Sequence, residues 1–258
     1  MEASRVYHVL GQAKRIFSLG REGLNQLLWP PVCHNCRQDI AADNNELCRK
    51  CWDQIQTCTA GEYCPRCGRD ASRYGLVEGR CPACQGLEIH FDGIARVGIY
   101  IDAFQQMILS FKHDRTELAP VLGRLIDAAF QGSHFYNDID LLVPVPLHWT
   151  RRLRRGYNQS HLLAKRLTHP TARIMADLVR IRRTKTQPTA VTPAARAKNV
   201  KGAFAVRSDH RFTGRRICLV DDIKTSGATL NECAKTLKKV GTKKVFALVL
   251  AVAGQKLG

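Results

Sequence analysis

From position 94 onward, short apolar runs alternate with amphipathic stretches. Buried strands are predicted for four of the runs, IARVGIYI, IDLLVPVPL, RICLVDD and KVFALVLAVA. Helical periodicity covers residues 103–111, 118–130, 158–167 and 228–240. Strands alternating with helices predict an α/β fold with a mainly parallel sheet flanked by helices. In such folds, ligands bind beyond the carboxyl ends of the strands.

The preceding region is dominated by cysteine. Nine of the eleven cysteines fall between Cys33 and Cys84, and eight of them form four Cys-x-x-Cys pairs separated by 11, 12 and 13 residues. Thiolate pairs at this spacing are typical of structural zinc sites. The simplest pairing predicts two zinc ions, one bound by Cys33, Cys36, Cys48 and Cys51 and the other by Cys64, Cys67, Cys81 and Cys84.

Other interpretations of the cysteines remain open. An interleaved pairing of the four knuckles satisfies the same spacing, and His34 is an alternative ligand or a bystander. Disulfides are disfavoured because no export signal is evident, and four knuckles exceed what a redox pair needs. We expect Cys58, Cys218 and Cys233 to be small buried side chains rather than ligands.

Three parts follow from these patterns: a helical segment over 1–30, a double zinc ribbon over 31–86 and an α/β domain over 87–258. We expect the first segment to pack on its own domain, and the alternative is a basic amphipathic helix on a membrane surface. No apolar run approaches the roughly 20 residues of a membrane span. The first thirty residues also lack a secretory signal, so we expect a cytoplasmic protein.

Charge narrows the class of partner. The formal net charge is +18, and residues 147–216 contain 18 Lys and Arg but only two acids, Asp177 and Asp209. Such a concentration predicts attraction to polyanions, whether nucleic acid, a nucleotide or a substrate with a pyrophosphate group. A solvated basic surface is the plainer alternative.

The stretch ICLVDDIKTSGATL combines a buried strand with polar groups at its carboxyl end. Hydroxyls of Thr225, Ser226 and Thr229, with backbone N–H groups at a helix start, suit a phosphate dianion, and Gly227 permits close approach. The paired carboxylates of 221–222 suit a diol such as that of ribose. An acidic helix cap with a small-residue turn explains one acid but not two.

These motifs resemble the phosphoribosyl pyrophosphate signature of type I phosphoribosyltransferases, and the chain as a whole resembles the ComF family associated with DNA uptake in competent bacteria. The resemblance rests on LLWPPVCHNC, CPRCG, MILSFKHD, LLVPVPLHWTRRLRRGYNQS, RRTKTQPTAV, NVKGAF and VDDIKTSGATL. In three places the chain departs mildly from the family pattern, at Tyr157, Val191 and Ser226. The resemblance implies a type I phosphoribosyltransferase-like fold behind a cysteine-rich zinc head.

By position, the resemblance implies that Asp221 and Asp222 hold the ribose hydroxyls in the catalytic site. It implies that the loop holds the 5-phosphate, through Lys224, Thr225, Ser226, Gly227, Ala228 and Thr229. The pyrophosphate would fall to basic residues, with Arg152, Arg155, Arg183, Lys185, Arg196 and Lys201 as candidates. Mg²⁺ would bridge the pyrophosphate and ribose oxygens, mostly through water.

Two functions are compatible with these observations. One is a magnesium-dependent phosphoribosyltransferase-like protein of DNA uptake that binds phosphoribosyl pyrophosphate or a nucleotide, with its acceptor unidentified. The other is a non-catalytic competence factor that binds single-stranded DNA through the basic stretch and the zinc head, together with other DNA-uptake proteins. The RRGYNQ stretch is ambiguous in the same way, since it suits a substrate-contacting loop or a helix capped by Asn158.

Overall fold

The computed structural model describes residues 30–40, 46–113, 115–184 and 192–254. The predicted N-terminal helix, apart from Pro30, and the predicted site residue Lys185 lie outside the described residues. The chain divides into two compact units, with the boundary between Asp53 and Gln54. Within the described residues, no helix is both long enough and apolar enough to cross a membrane.

The elements are as follows. The helices are α1 (Arg49–Thr59), α2 (Pro82–Gln85), α3 (Asp102–Lys112), α4 (Ala119–Gln131), α5 (Trp149–Arg155), α6 (Gln159–Ala164), α7 (Pro193–Val200) and α8 (Ala228–Lys239). The strands are β1 (Gly93–Ile99), β2 (Leu141–Pro144), β3 (Arg173–Ile174), β4 (Leu178–Arg180), β5 (Phe204–Val206), β6 (Arg216–Lys224) and β7 (Lys244–Val252).

Five of the strands form one sheet in the order β1-β7-β6-β2-β3, and every neighbouring pair is parallel. The central strands are buried almost throughout, at residues 245–252 of β7 and 217–220 of β6. Strands covered on both faces need apolar side chains at successive positions, which is why continuous apolar runs predicted them. The predicted α/β class is confirmed.

Both faces of the sheet carry packed side chains. On one face, Leu230 and Leu237 of α8 belong to the same buried cluster as Leu219 of β6. On the other face, the ring of Phe135 stacks on that of Phe246, with ring centroids 4.5 Å apart. Because strand side chains alternate between faces, neighbouring apolar residues of β7 serve the two layers in turn.

The carboxyl edge of the sheet has a step beside β6. Pairing between β2 and β6 ends at Val220, whereas pairing between β6 and β7 continues to Lys224. Residues 221–224 therefore have a strand neighbour on one side only. This step opens the edge of the sheet to side chains from outside it.

Within the α/β domain, two helices arise where the sequence indicated none. Helix α7 lies in the basic stretch expected to be irregular, and it begins with Thr192 capping the N–H of Ala195 at 3.3 Å, followed by Pro193. Helix α5 ends at Gly156, which has a φ of 75°. Its apolar positions are too few for a helical stripe, so its periodicity gave no signal.

Candidate functional site

The first cysteine cluster consists of Cys33, Cys36, Cys48 and Cys51, whose sulfur atoms all lie within 4.8 Å of one another. The Sγ atoms of Cys36 and Cys48 are 3.6 Å apart. Thiolates bound tetrahedrally at about 2.3 Å from zinc lie about 3.8 Å apart, so the cluster fits a zinc ion. The knuckle turns at Arg37, which has a φ of 66° and donates its N–H to the carbonyl of Cys33 at 2.9 Å.

The second cysteine cluster consists of Cys64, Cys67, Cys81 and Cys84, and all four are buried. Its Sγ atoms are also within 4.8 Å of one another, with 3.8 Å between Cys64 and Cys84. Gly68 turns this knuckle with a φ of 77°. Both clusters therefore fit structural zinc with four thiolate ligands and no open position. The knuckles pair in sequence order rather than interleaved.

The remaining cysteines are packed away from these clusters. Cys58, Cys218 and Cys233 are 3%, 0% and 0% exposed, and none belongs to either sulfur group. Burial raises the pKa of the Cys218 and Cys233 thiols. They are small core side chains, as the sequence indicated.

The connection from β6 to α8, residues 225–229, is called here the 225–229 loop. Gly227 is the N-cap of α8 with a φ of 81°, a conformation that L side chains rarely adopt. A Cβ at this position would also lie 3.0 Å from Cε of Lys224. The backbone conformation therefore favours glycine, and the loop brings the N–H groups of the first turn of α8 to the edge of the sheet.

The two carboxylates at the end of β6 have separate partners. Asp221 accepts hydrogen bonds of 2.9 Å from the Ser160 hydroxyl and 2.9 Å from the N–H of Asp222. Asp222 forms an ion pair of 3.2 Å with Lys112. Burial, reinforced by the charge of Asp222, raises the pKa of Asp221 from 3.8 to about 7. This carboxyl therefore changes charge near neutral pH.

These groups line one cleft of about 440 Å³ at the carboxyl edge of the sheet. Of the residues predicted from the sequence, the cleft brings together Asp221, Asp222, Lys224, Thr225, Ser226, Gly227, Ala228, Thr229, Arg155 and Arg196. Among the described residues, Arg152, Arg183 and Lys201 do not line it, and all three are exposed.

Four half-buried arginines of the cleft are called here the arginine group: Arg151, Arg155, Arg180 and Arg196. Thr184 connects two of them, because its carbonyl accepts from Arg151 at 3.3 Å and its hydroxyl accepts from Arg180. Burial lowers the pKa of both guanidinium groups, and each is close enough to other arginines to lower it further. Within the described residues, the buried Nε of Arg180 has no hydrogen-bond partner.

Several of these side chains were not distinctive in the sequence. Lys112 follows the pattern of an ordinary basic residue at a helix end. Its contact with Asp222 joins residues that are far apart in the sequence. Arg151 lies beside residues that were selected, but only the helical rotation of α5 distinguishes it from Arg152. Lys112, Arg151, Arg155, Arg180, Arg196 and Lys224 together place six cations around two carboxylates in the lining. The cleft therefore favours an anionic ligand.

Both parts of the chain match known protein families. A double zinc ribbon domain matches residues 24–85, and a phosphoribosyl transferase domain matches residues 126–258. Competence protein F of Haemophilus influenzae is 32% identical over 228 residues, which covers 86% of this chain and 96% of that protein. The chain belongs to the ComF family.

Other relatives agree with this membership. DNA utilization protein YhgH of Escherichia coli is 30% identical over 84% of this chain and 94% of its own length. Competence protein ComFC of Bacillus subtilis is 29% identical over 77% and 80%. Among solved structures, the allosteric regulatory enzyme of purine biosynthesis matches at 20% identity over 52% of this chain and 26% of that chain, with a TM-score of 0.33. That last similarity is too low to carry an inference about substrate.

In this ComF-family chain, the matched regions account for most of the site. The zinc ribbon match includes all eight clustered cysteines, and the phosphoribosyl transferase match includes the carboxylates, the 225–229 loop and the arginine group. Tyr100 and Lys112 lie before the second match begins, yet both line the same cleft. The residue that follows β1 and the last residue of α3 therefore contribute to the cleft from outside the matched region.

Proposed function

We propose that this ComF-family protein binds phosphoribosyl pyrophosphate, or a nucleotide of similar charge, together with Mg²⁺ in the cleft at the end of β6. The observation that carries the proposal is the lining of that one cleft, where a helix-start loop and six cations surround two adjacent carboxylates. Phosphoribosyl pyrophosphate has two anionic ends joined by a ribose, and the ribose carries a diol. The lining offers a complementary group for each part.

The 225–229 loop suits the 5-phosphate. It combines the positive end of α8 with the hydroxyls of Thr225, Ser226 and Thr229, and both features favour a dianion. Asp221 and Asp222, near the end of β6, suit the ribose hydroxyls. An ionised carboxylate has acceptors but no donor, so each hydroxyl can donate a hydrogen bond to it. The order of these groups along β6 matches the order of the ribose hydroxyls and the 5-phosphate along the ligand.

The arginine group suits the pyrophosphate. Half-buried guanidinium groups close to one another are costly without an anion, and charge-assisted hydrogen bonds to phosphate oxygens offset that cost. The buried Nε of Arg180 is a donor that such an anion would satisfy. This assignment adds Arg151 and Arg180 to the arginines that the sequence indicated.

Asp221 and Asp222 also fit Mg²⁺, because this ion prefers carboxylate oxygens and retains water ligands. When bound, Mg²⁺ would neutralise part of the pyrophosphate charge. In a transfer reaction the bond from C1 of ribose to pyrophosphate would break, pyrophosphate would leave with the electron pair, and an acceptor would bond to C1. The arginine group would stabilise the charge that develops on the leaving pyrophosphate.

Calorimetric titration with phosphoribosyl pyrophosphate and Mg²⁺ tests the proposal. We expect measurable binding by the unchanged protein and a loss of about 100-fold in the Asp221→Asn, Asp222→Asn double variant. The matched control is Asp209→Asn, which neutralises an exposed acid outside the cleft. Equal binding by the double variant, or no binding by a cooperatively folded parent protein, would overturn it.

A second candidate function, binding of single-stranded DNA, is favoured by the outer surface of α5. Trp149 and Leu153 lie four residues apart on this helix and are 63% and 75% exposed. Arg152 and Arg154 flank them and are exposed as well. Exposed aromatic side chains beside arginines suit stacked bases and a phosphate backbone.

Fluorescence anisotropy with a labelled single strand tests this second candidate. We expect Trp149→Ala to weaken binding about tenfold and Arg154→Met to reduce the salt dependence of the affinity. Leu109→Ala, at an exposed apolar position on α3, is the matched control. Unchanged affinity and salt dependence in both α5 variants would exclude this helix as the DNA-binding surface.

A further inference from the structure

Lys224, the last residue of β6, is buried in an unusual position. It is only 6% exposed, and its Nζ lies 3.7 Å from the point that a Cβ on Gly227 would occupy. Among the described residues, no carboxylate lies within ion-pair distance of it, and no hydrogen bond satisfies its ammonium group. Because most of this side chain is buried while no carboxylate pairs with its ammonium group, a negative charge nearby would stabilise it.

A second cavity, of about 260 Å³, connects this lysine to the second cysteine cluster. Its lining includes Cys67 and Arg69 from the second knuckle and Lys224, Ser226 and Gly227 from the end of β6 and the loop. Lys224, Ser226 and Gly227 also line the main cleft. The lysine therefore lies in the wall between the cleft and the metal-binding part of the same unit.

The electrostatics of Lys224 reflect this position. Burial lowers the pKa of its ammonium group. The charges of Cys67 and Cys84 oppose that shift, whereas the charges of Arg69 and Arg96 add to it. A zinc ion bound by four thiolates leaves two net negative charges on the site. A zinc-loaded cluster would therefore place net negative charge on the far side of the cavity that Cys67 and Lys224 line together, close to a lysine that has no carboxylate within ion-pair distance.

We propose that Lys224 electrostatically links the second zinc site to the 225–229 loop, as the counter-charge of the metal centre on one side and a cation of the phosphate-binding loop on the other. The half of this proposal that concerns phosphate rests on the proposed function, and the half that concerns zinc does not. Lys224 is a positioning residue for zinc, because the cysteines are the ligands. Residues beyond the ligand shell commonly alter metal affinity by about 10- to 100-fold when changed.

Zinc release tests the first half without any sugar phosphate. The zinc-loaded full chain is mixed with a chromophoric chelator, and the release of its two zinc equivalents is followed over time. In Lys224→Met, which keeps the side-chain volume, we expect one equivalent to leave about tenfold faster and the other to keep its rate. Lys224→Arg should restore the slower release, since it restores the charge.

The control is Lys198→Met, which removes an exposed lysine from α7. Release of both equivalents at the parental rates in Lys224→Met would overturn the link to zinc. If Lys224→Met does not fold, as judged by thermal melting, Lys224→Gln takes its place and the same two outcomes apply.

Ribose 5-phosphate tests the second half, because it carries the 5-phosphate without the pyrophosphate. We expect Lys224→Met to weaken its binding about tenfold and Lys224→Arg to recover most of the loss. Unchanged affinity in Lys224→Met would remove the lysine from the phosphate site. Absence of binding by the parent protein would contradict the proposed function, while the zinc experiment would still decide the first half.

Discussion

The 225–229 loop and the arginine group line the same cleft, yet the loop comes from five consecutive residues and the arginines come from three separate regions of the chain. The loop presents backbone N–H groups whose positions are set by Gly227 and by the start of α8. The arginine group depends on side chains of α5, β4 and α7 that meet only in the folded protein.

This difference determines how a single substitution in each region affects ligand binding. Backbone donors are fixed by local conformation, so one wrong residue disturbs all of them at once. The arginines share their task among four side chains, and Thr184 connects only two of them. We therefore expect a single change in the loop to cost more ligand affinity than a single change in the arginine group.

The largest effect is expected for Gly227→Ala. The alanine would have to adopt a φ of 81°, which L side chains rarely do, so the backbone of the loop is strained. Its Cβ would also lie 3.0 Å from Cε of Lys224, so that side chain must move by a few tenths of an ångström. We expect affinity for phosphoribosyl pyrophosphate to fall about 100-fold, because displaced N–H groups no longer meet the phosphate. Calorimetry measures the affinity, and thermal unfolding measures the accompanying loss of stability.

Gly214→Ala is the matched control for that prediction. Gly214 has a φ of 71°, but a Cβ there meets nothing within 4 Å. This variant should lose stability from backbone strain, on the order of 1 kcal/mol, and keep its affinity for the ligand. If both glycine variants lost affinity equally, general destabilisation rather than loop geometry would explain the result.

The same contrast explains what could be predicted from the sequence. Four buried strands, the two cysteine clusters and the loop follow from local patterns, because their defining residues are neighbours in sequence. Arg151 and Arg180 escaped prediction because only tertiary packing separates them from the exposed Arg152 and Arg183. A basic stretch indicates that an anion is expected, but not which of its side chains turn inward.

The second prediction tests this choice of arginine. Arg180→Met should weaken binding of phosphoribosyl pyrophosphate about tenfold, because it removes a half-buried donor from the arginine group. Affinity for ribose 5-phosphate should change less than about twofold, since that ligand lacks the pyrophosphate. Arg183→Met is the control, and a larger loss in Arg183→Met than in Arg180→Met would restore the assignment drawn from the sequence.

The third prediction concerns pH. Burial beside Asp222 raises the pKa of Asp221 from 3.8 to about 7, so the folded protein holds a proton that the unfolded chain releases above about pH 4. The contribution of this group to the free energy of unfolding is therefore fully favourable below its unfolded pKa and is lost as the pH rises towards 7. Asp221→Asn removes this loss.

Denaturant unfolding at several pH values between 4 and 8 measures the effect, because most of the loss falls between the unfolded and the folded pKa. Relative to the parent protein, Asp221→Asn should gain stability as the pH rises, by on the order of 1 to 3 kcal/mol at pH 8. Asp209→Asn, at an exposed acid, should show no such trend. A constant difference between Asp221→Asn and the parent protein across this range would mean that folding does not raise the pKa of Asp221.

The smallest effect is expected for Lys112→Met. This variant shows whether Lys112 acts on the carboxylates or with the arginine group. Its ammonium group pairs with Asp222 at 3.2 Å and lowers the pKa of Asp221. Without it, the pH dependence caused by Asp221 should move to higher pH, and affinity for pyrophosphate alone should stay within about twofold. Lys112→Arg should keep the parental pH profile because it keeps the charge. If Lys112→Met instead weakened pyrophosphate binding as strongly as Arg180→Met, Lys112 would belong with the arginine group, and recognition of pyrophosphate would extend to the end of α3.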